Sequence, residues 1–434
     1  MNFWPPSNQE LLIPLKHACR MNPEVLSEKT DPDFELEYID IGNVSLEKGI
    51  SARQTLRFGD APSRARKVVR KDDTLISTVR TYLKAIAHID EGGENWIAST
   101  GFAVLRPNKG VYPRFLYRVA QASPFVDAIV ASSTGVGYPA INPSVLGSLE
   151  IPLPDLESQK AIAAFLDRET ARIDELVLKR EAFLTLIDEK QAALAAKAIN
   201  GAILRNAAGG QQGWFGVVPD DWTVRRGKLL FKERQDRSES GDEELLTVSH
   251  ITGVTRRSDK DVNMFLAESM EGYKLVSAGD VVVNTMWGWM GAMGVSFLDG
   301  LISPSYNVYS PVTDDFEPAY FDLLLRSRPF VAEVNRRSKG VWSSRLRLYP
   351  DAFLDIRFPV PTRDTQRAIL KALQTAMRRE RRLAELSRRS LDSLREFRSA
   401  LITAAVTGQI DVATWRKRGE TERRLDHIQE AMRA

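Results

Sequence analysis

Hydrophobic and polar residues follow two periods along this chain, and the periods come in blocks. Period-two or short apolar runs predict strands at Glu37–Gly42, Asp73–Val79, Ala85–Ile89 and Ile97–Leu105. Tyr112–Ala122 reads as a helix. A Gly-rich loop, Ser132–Pro143, follows, and then a last strand with the sequence LGSLEIPLP. The spacing then changes to threes and fours through Ile162, Phe165, Leu166, Ile173, Leu176, Phe183, Ile187 and Leu194. That pattern predicts a helix over residues 157–200, about 65 Å long at ~1.5 Å per residue.

The same blocks then return. Leu245–His250, Gly279–Met286 and Ile302–Ser310 repeat the early strands, Arg337–Arg347 replaces the Gly-rich loop, and FLDIRFPVP is the second last strand. A second seam runs through Ile369, Leu373, Leu383, Leu386, Leu394, Phe397 and Leu401. Ile151–Ile203 and Phe358–Ile410 align without a gap at an offset of 207 residues. Pro152/Pro359, Pro154/Pro361, Gln159/Gln366, Ala161/Ala368, Ile162/Ile369 and Leu166/Leu373 coincide, and Asp73/Asp280 share the offset. Pro124–Phe125 and Gly135–Val136 recur 205 residues on. A repeat of this kind dictates architecture. The chain is therefore divided into residues 1–150 (globular), 151–213 (long helix and linker), 214–357 (globular) and 358–434 (long helix and basic tail). The tail from Thr414 is expected to be a short helix or disordered.

Each P-x-P ends an incoming strand, because proline lacks the N–H and restricts the residue before it. Asp155 or Ser158 is then expected to cap the first long helix, and Asp364 or Thr365 the second. Gly201 and Gly408 stand where a C-cap glycine would. A stripe this long has no core of its own and needs a partner. Residues 157–197 hold eight acids and seven bases, and residues 378–398 hold eight arginines against four acids, so the two helices can suit each other. A dimerisation coiled coil is the bland reading, and the internal repeat favours an intramolecular pair. The fold class is α+β.

Composition narrows the chemistry. With 434 residues, 43% hydrophobic and 27% charged, the chain has ample core for two or three domains. One cysteine, Cys19, excludes an internal disulfide, and His17, His88, His250 and His427 show no metal-ligand spacing. No apolar run reaches the ~18 residues of a membrane span and no leader is recognisable, so the cytoplasm is the expected compartment and no membrane partner is expected. A net charge of +3 permits a nucleic-acid partner without requiring one. Asn142–Val145 lacks the second proline and the aromatic of an adenine-methyltransferase N-P-P-Y/F loop. Gly135-Val136-Gly137 with Ala140 is a partial G-x-G-x-x-A without the flanking strand and helix. The chain is expected to catalyse nothing by itself, and to hold no metal and no cofactor.

The candidate chemistry sits on loops. In the first globular unit the candidates for DNA contact are Arg64, Arg66, Lys67, Thr78, Arg80, Tyr82, Lys84, Ser133, Thr134, Tyr138 and Asn142. In the second they are Thr285, Trp287, Trp289, Arg337, Lys339, Trp342, Arg345 and Arg347. Arginine offers a fork for guanine and asparagine can pair with adenine, while Ser, Thr and Lys suit phosphates. The competing reading is solvated loops with Trp287 and Trp289 in a core. Recurrence of basic and aromatic residues at matched places in two units favours a DNA surface.

The opening P-x-P–x₄–Q–x–A–I–x₃–L, carried by Pro152, Pro154, Gln159, Ala161, Ile162 and Leu166, leads through Thr170–Asp174 (TARID) into a heptad helix ending in Gly. With Pro359, Pro361, Gln366, Ala368 and Ile369 it resembles the conserved regions of type I restriction–modification specificity subunits. The second helix departs from the pattern, with MRRERRLAEL where the first has TARIDEL. The resemblance implies two target-recognition domains separated by two long helices that form an intramolecular antiparallel coiled coil. Each domain would read one half of a bipartite, asymmetric site in double-stranded DNA, and the helices would set the spacer. It implies docking of two modification subunits that carry S-adenosylmethionine. Two restriction subunits, where the system has them, would bring ATP and Mg. The alternatives are a tandem coiled-coil scaffold and a DNA-binding regulator without methyltransferase partners.

Overall fold

The computed structural model describes Trp4 and residues 12–135, 137–204, 210–260, 269–340 and 346–430, apart from the side chains of Arg416 and Gln429. Its helices, in chain order, are α1 (Leu15–Ala18), α2 (Pro113–Gln121), α3 (Ser123–Ala131), α4 (Pro143–Ser148), α5 (Leu156–Ile199), α6 (Pro318–Leu325), α7 (Arg328–Arg337), α8 (Pro350–Leu354), α9 (Arg363–Val406), α10 (Val412–Lys417) and α11 (Glu420–Glu430). Contacts divide the chain into one unit of Met1–Ala182 with Leu386–Ala434 and another of Phe183–Glu385. The division falls inside both long helices.

In the first unit, a four-stranded antiparallel sheet runs in the order Cys19–Met21, Phe102–Pro107, Thr74–Ser77, Ile86–His88. In the second, the order Phe231–Arg234, Tyr306–Pro311, Val281–Asn284, Met293–Val295 reproduces it. The repeat seen in the helices thus extends to the sheets. Asp73 and Asp280 play the same part in each. Asp73 accepts the Arg70 N–H at 2.8 Å and pairs with Arg106 at 2.8 Å. Asp280 accepts the Ser277 N–H at 2.8 Å and pairs with Arg234 at 2.9 Å. Both carboxylates are buried, so each is compensated by charge and by backbone donors.

The first unit has a second four-stranded sheet of Gln54–Arg57, Glu35–Ile39, Trp96–Ser99 and Ala65–Val68. The run Ile97–Leu105, expected as one strand, is two strands in different sheets, broken at Thr100–Gly101. A Cβ on Gly101 would press on the end of the Ile41 side chain, so a larger residue at this turn would have to displace it. Ile302–Ser310 breaks the same way, into Gly300–Ile302 and Tyr306–Pro311. The expected last strands are also shorter. α4 and α8 occupy their beginnings, each with proline in its first turn, leaving Glu150–Pro152 and Arg357–Val360 as strand.

Asp155 caps α5, accepting the Ser158 N–H at 3.0 Å. The cap of α9 is neither Asp364 nor Thr365 but Thr362, whose Oγ1 accepts the Thr365 N–H at 3.3 Å. The helix starts two residues earlier than a cap at Asp364 would have it. At the other end Gly408 has φ +64°, and Gln409 N–H to Ala404 O (2.9 Å) with Gly408 N–H to Ala405 O (3.2 Å) completes the C-terminal motif.

Within the first unit, α5 and α9 pair antiparallel: Asp174 meets Arg398 at 2.8 Å and Glu181 meets Arg395 at 3.0 Å. Phe165, Leu166 and Ile173 of α5 share a core with Leu394, Leu401 and Ala405 of α9 and with Phe115, Val119 and Phe125. In the second unit, Ala198 and Ile199 share a core with Ile369, Leu373, Met377, Tyr320 and Phe330. The α9 seam passes through Ala384 and Ser387, not Leu383 and Leu386, which are only half-buried. A strict alternation of four and three from Leu373 lands on the small residues, and only helix packing decides that phase. The tail from Thr414 is ordered as helix up to Glu430, with Leu425 buried and Glu422 paired to Arg172 at 2.6 Å.

Candidate nucleic-acid interface

Two loops of the first unit come together to make its candidate surface. The backbone of residues 78–80 bonds to that of residues 139–141: Arg80 N–H to Pro139 O at 2.7 Å and Ile141 N–H to Thr78 O at 2.9 Å. Thr134 and Ala140 bridge in turn and close the late loop. The Thr81 and Ser133 hydroxyls join the loops at 2.7 Å. On this frame Arg80 lies over the Tyr138 ring at 4.8 Å. Tyr82, Lys84, Thr134 and Tyr138 are exposed, Tyr138 at 69%. Arg80 and Lys84 both hold left-handed backbone, at φ +50° and +51°. Such a conformation costs an L-residue about 1–2 kcal/mol, so the fold maintains strain where basic side chains are presented.

Other candidates support this surface. Thr78 is buried and donates to Gly101 O at 2.9 Å. Ser133 donates to Ile129 O at 2.7 Å. Asn142 spends its side-chain oxygen capping α4 through the Ser144 N–H at 2.9 Å. Arg64 reaches the neighbourhood through its carbonyl, which accepts the Thr100 N–H at 2.7 Å. Its guanidinium donates to Tyr38 Oη at 3.0 Å and pairs with Asp40 at 2.8 Å, and these two partners push its pKa up. Arg66 lies elsewhere, over the Phe58 ring at 4.7 Å. Lys67 is half-buried in the sheet opposite Ala98, and burial lowers its pKa.

In the second unit Thr285 donates to Ser305 O at 2.7 Å. Asn284, absent from the candidates, is buried and accepts the Met286 and Trp287 N–H groups at 3.1 and 3.3 Å, which shapes the loop. Trp287 is 52% exposed, and Met286 and Met290 flank it in the open. Trp287 is therefore no core residue, whereas Trp289 is half-buried and donates to Met286 O at 3.0 Å. Lys339 and Arg347 are exposed and bridge each other, as Thr134 and Ala140 do in the first unit. Arg337 is committed to Glu333 at 2.5 Å and Asp355 at 3.3 Å. Trp342 and Arg345 lie outside the described residues. Among the described residues no group of acids, histidines or cysteines could hold a metal ion, and no helix is long and apolar enough to cross a membrane.

Each unit thus presents exposed aromatic and basic side chains on loops pinned to a sheet. Residues 64–182, which include the first loop pair, match the family model described as the type I restriction modification DNA specificity domain. The specificity subunit of the type I restriction enzyme HindI from Haemophilus influenzae is 30% identical over 136 residues, covering 31% of this chain and 29% of its own. That of EcoKI from Escherichia coli is 29% identical over 100 residues, covering 23% and 22%. The match thus spans under a third of the length of these relatives. That of MjaVIII from Methanocaldococcus jannaschii is 18% identical over 346 residues, 73% of this chain and 78% of the relative. A chain solved in work on complex assembly and conformational transition of the type I R-M system matches at TM-score 0.64 and 21% identity. The match covers 94% of this chain and 99% of that one, and shows a common fold.

Proposed function

We propose that this chain, whose residues 64–182 match the type I restriction modification DNA specificity domain, is the specificity subunit of a complex of that type. Each globular unit reads one half of a bipartite, asymmetric site in double-stranded DNA. The observation that carries this is the duplicated loop closure: Thr134–Ala140 bridge around the exposed Tyr138, and Lys339–Arg347 bridge just before Leu348, which packs against Gly288 in the loop of the exposed Trp287. The frame repeats while the presented side chains differ, which suits two readers of different sequences. Backbone and sugar contacts place such a reader, and side chains at base edges select the sequence.

The chain itself binds and positions, and the chemistry belongs to its partners. Two modification subunits carrying S-adenosylmethionine methylate adenine, and restriction subunits add ATP- and Mg-dependent cleavage where the system has them. The α5–α9 pair sets the spacer between half-sites, as half-site spacing follows protein geometry. The complex works in the cytoplasm. A scaffold reading accounts for the helices but leaves the exposed Arg80, Tyr138 and Trp287 without a purpose.

A map of methylated adenines in the source genome, with the gene intact and deleted, tests the proposal. A bipartite motif that vanishes on deletion is the expected result, and an unchanged map overturns it. Adding one heptad to both α5 and α9 is expected to alter the spacer and keep both halves. An unchanged spacer sinks the ruler.

A further inference from the structure

The second unit has a basic cleft of about 720 Å³ beside the Trp287 loop, lined by His250, Arg326, Arg328, Asn335 and Arg336 over a floor that includes Met290 and Val331. No acid lines it. We infer that this cleft grips the sugar–phosphate backbone of DNA next to the half-site this unit reads, an inference that rests on the DNA-binding reading above.

Three segments converge to build the cleft. Arg326 donates to Ile251 O at 2.6 Å and pairs with Asp322 at 3.3 Å, which ties the turn carrying His250 to α6. Lys260 donates to Ser249 Oγ at 2.9 Å and Thr252 Oγ1 at 2.6 Å on the same turn, adding a further positive charge. Gly291, at φ +92°, brings the Trp287 loop against α7, where a Cβ would stand 2.9 Å from Val331. α7 supplies Arg328, Asn335 and Arg336. Arg336 shares its charge with Glu333 at 2.8 Å. Arg328 is exposed and, among the described residues, has no ion-pair partner. An exposed arginine beside further basic side chains, above an apolar floor, suits a phosphate and its deoxyribose better than a base edge, which needs an orienting set of donors and acceptors.

The first unit has no equivalent. At the corresponding positions, 205 residues earlier, stand Gln121, Ser123 and Ala131 in place of Arg326, Arg328 and Arg336. Gln121 is buried and bonded to Tyr117, and Ser123 is bonded to Ser399 of α9 at 2.8 Å. The arginines of this cleft therefore have no counterparts at the matched positions of the first unit.

The test measures binding of the full chain to two duplexes across a salt series. One duplex carries the mapped motif and the other a shuffled sequence. Arg328→Ala is compared with Arg328→Lys and, as a control for charge loss alone, with Lys179→Ala on α5. Arg328→Ala is expected to weaken both duplexes alike, by roughly eightfold at about 0.1 M salt, and to lower the salt slope by about 0.9. Arg328→Lys keeps the slope, and Lys179→Ala changes nothing. An unchanged slope in Arg328→Ala overturns the clamp and leaves the DNA-binding reading standing. A loss confined to the mapped duplex overturns it in favour of base readout. A wild-type chain that binds neither duplex overturns the underlying reading as well.

Discussion

Gln159 and Gln366 make the same set of hydrogen bonds in the two repeats. Gln159 accepts the Tyr112 N–H at 2.7 Å and donates to Pro154 O at 2.7 Å and Gly110 O at 3.3 Å. Gln366 accepts the Glu317 N–H at 3.0 Å and donates to Pro361 O and Asp315 O, both at 2.8 Å. Each glutamine locks the P-x-P turn to the loop that opens α2 or α6. Both are buried, so the bonds form away from water, where an unmet backbone group is costly.

Gln159→Ala is therefore expected to destabilise the first unit by about 1–3 kcal/mol, and Gln366→Ala the second by a similar amount. Hydrogen exchange resolved along the chain measures both. Each loss should stay within its own unit. Wild-type protection in either variant would show that water replaces the amide.

A pH dependence follows from Glu24. Hydrogen bonds from Arg70 and then Arg106 hold its carboxyl down to about 2, against 4.5 ordinarily. A carboxyl depressed on folding contributes stability that is fully present above about 4.5 and is lost as pH falls towards 2. Urea titrations of Glu24→Gln should show lower stability at neutral pH and a flatter decline through that window. An acid limb identical to wild type would mean that Glu24 is not depressed.

Cys19 is 2% exposed, and burial pushes its thiol up to about 12. The reactive species is the thiolate. Alkylation at pH 8 should be negligible in the folded chain and fast in denaturant, so its rate reports opening of the first unit. Rapid labelling without denaturant would contradict the packing around Leu15 and Ala18.

The two loop frames should act separately on specificity. Arg80→Ala or Tyr138→Ala is expected to weaken recognition of one half-site, and Trp287→Ala of the other, each by about 1–3 kcal/mol. Binding to duplexes with single substitutions in each half provides the measurement. Loss at both halves from one substitution would mean that the frames do not read independently.

The sequence by itself determined the plan. The gap-free helix repeat, the P-x-P–x₄–Q element and the terminal glycines are local signals, because proline geometry, helix period and left-handed glycine act over a few residues. They located α5, α9, both glycine caps and the place of Gln159 and Gln366. The tertiary structure alone decided what depends on contacts distant in the chain. Thr362 rather than Asp364 caps α9, and small residues fill part of the α9 seam. Ile97–Leu105 is divided between two sheets because its two halves pair with different strands distant in the chain, Glu35–Ile39 and Thr74–Ser77. The candidate site divided in the same way. Residue type drew attention alike to Arg80, Asn142 and Arg337, but only the fold shows Arg80 exposed over Tyr138, Asn142 capping a helix and Arg337 held by Glu333 and Asp355. His250 lies far in the sequence from Arg326 and Arg328, and they become one basic cleft only when the turn, the loop and α7 converge. A charge pattern formed by folding leaves no local trace to read.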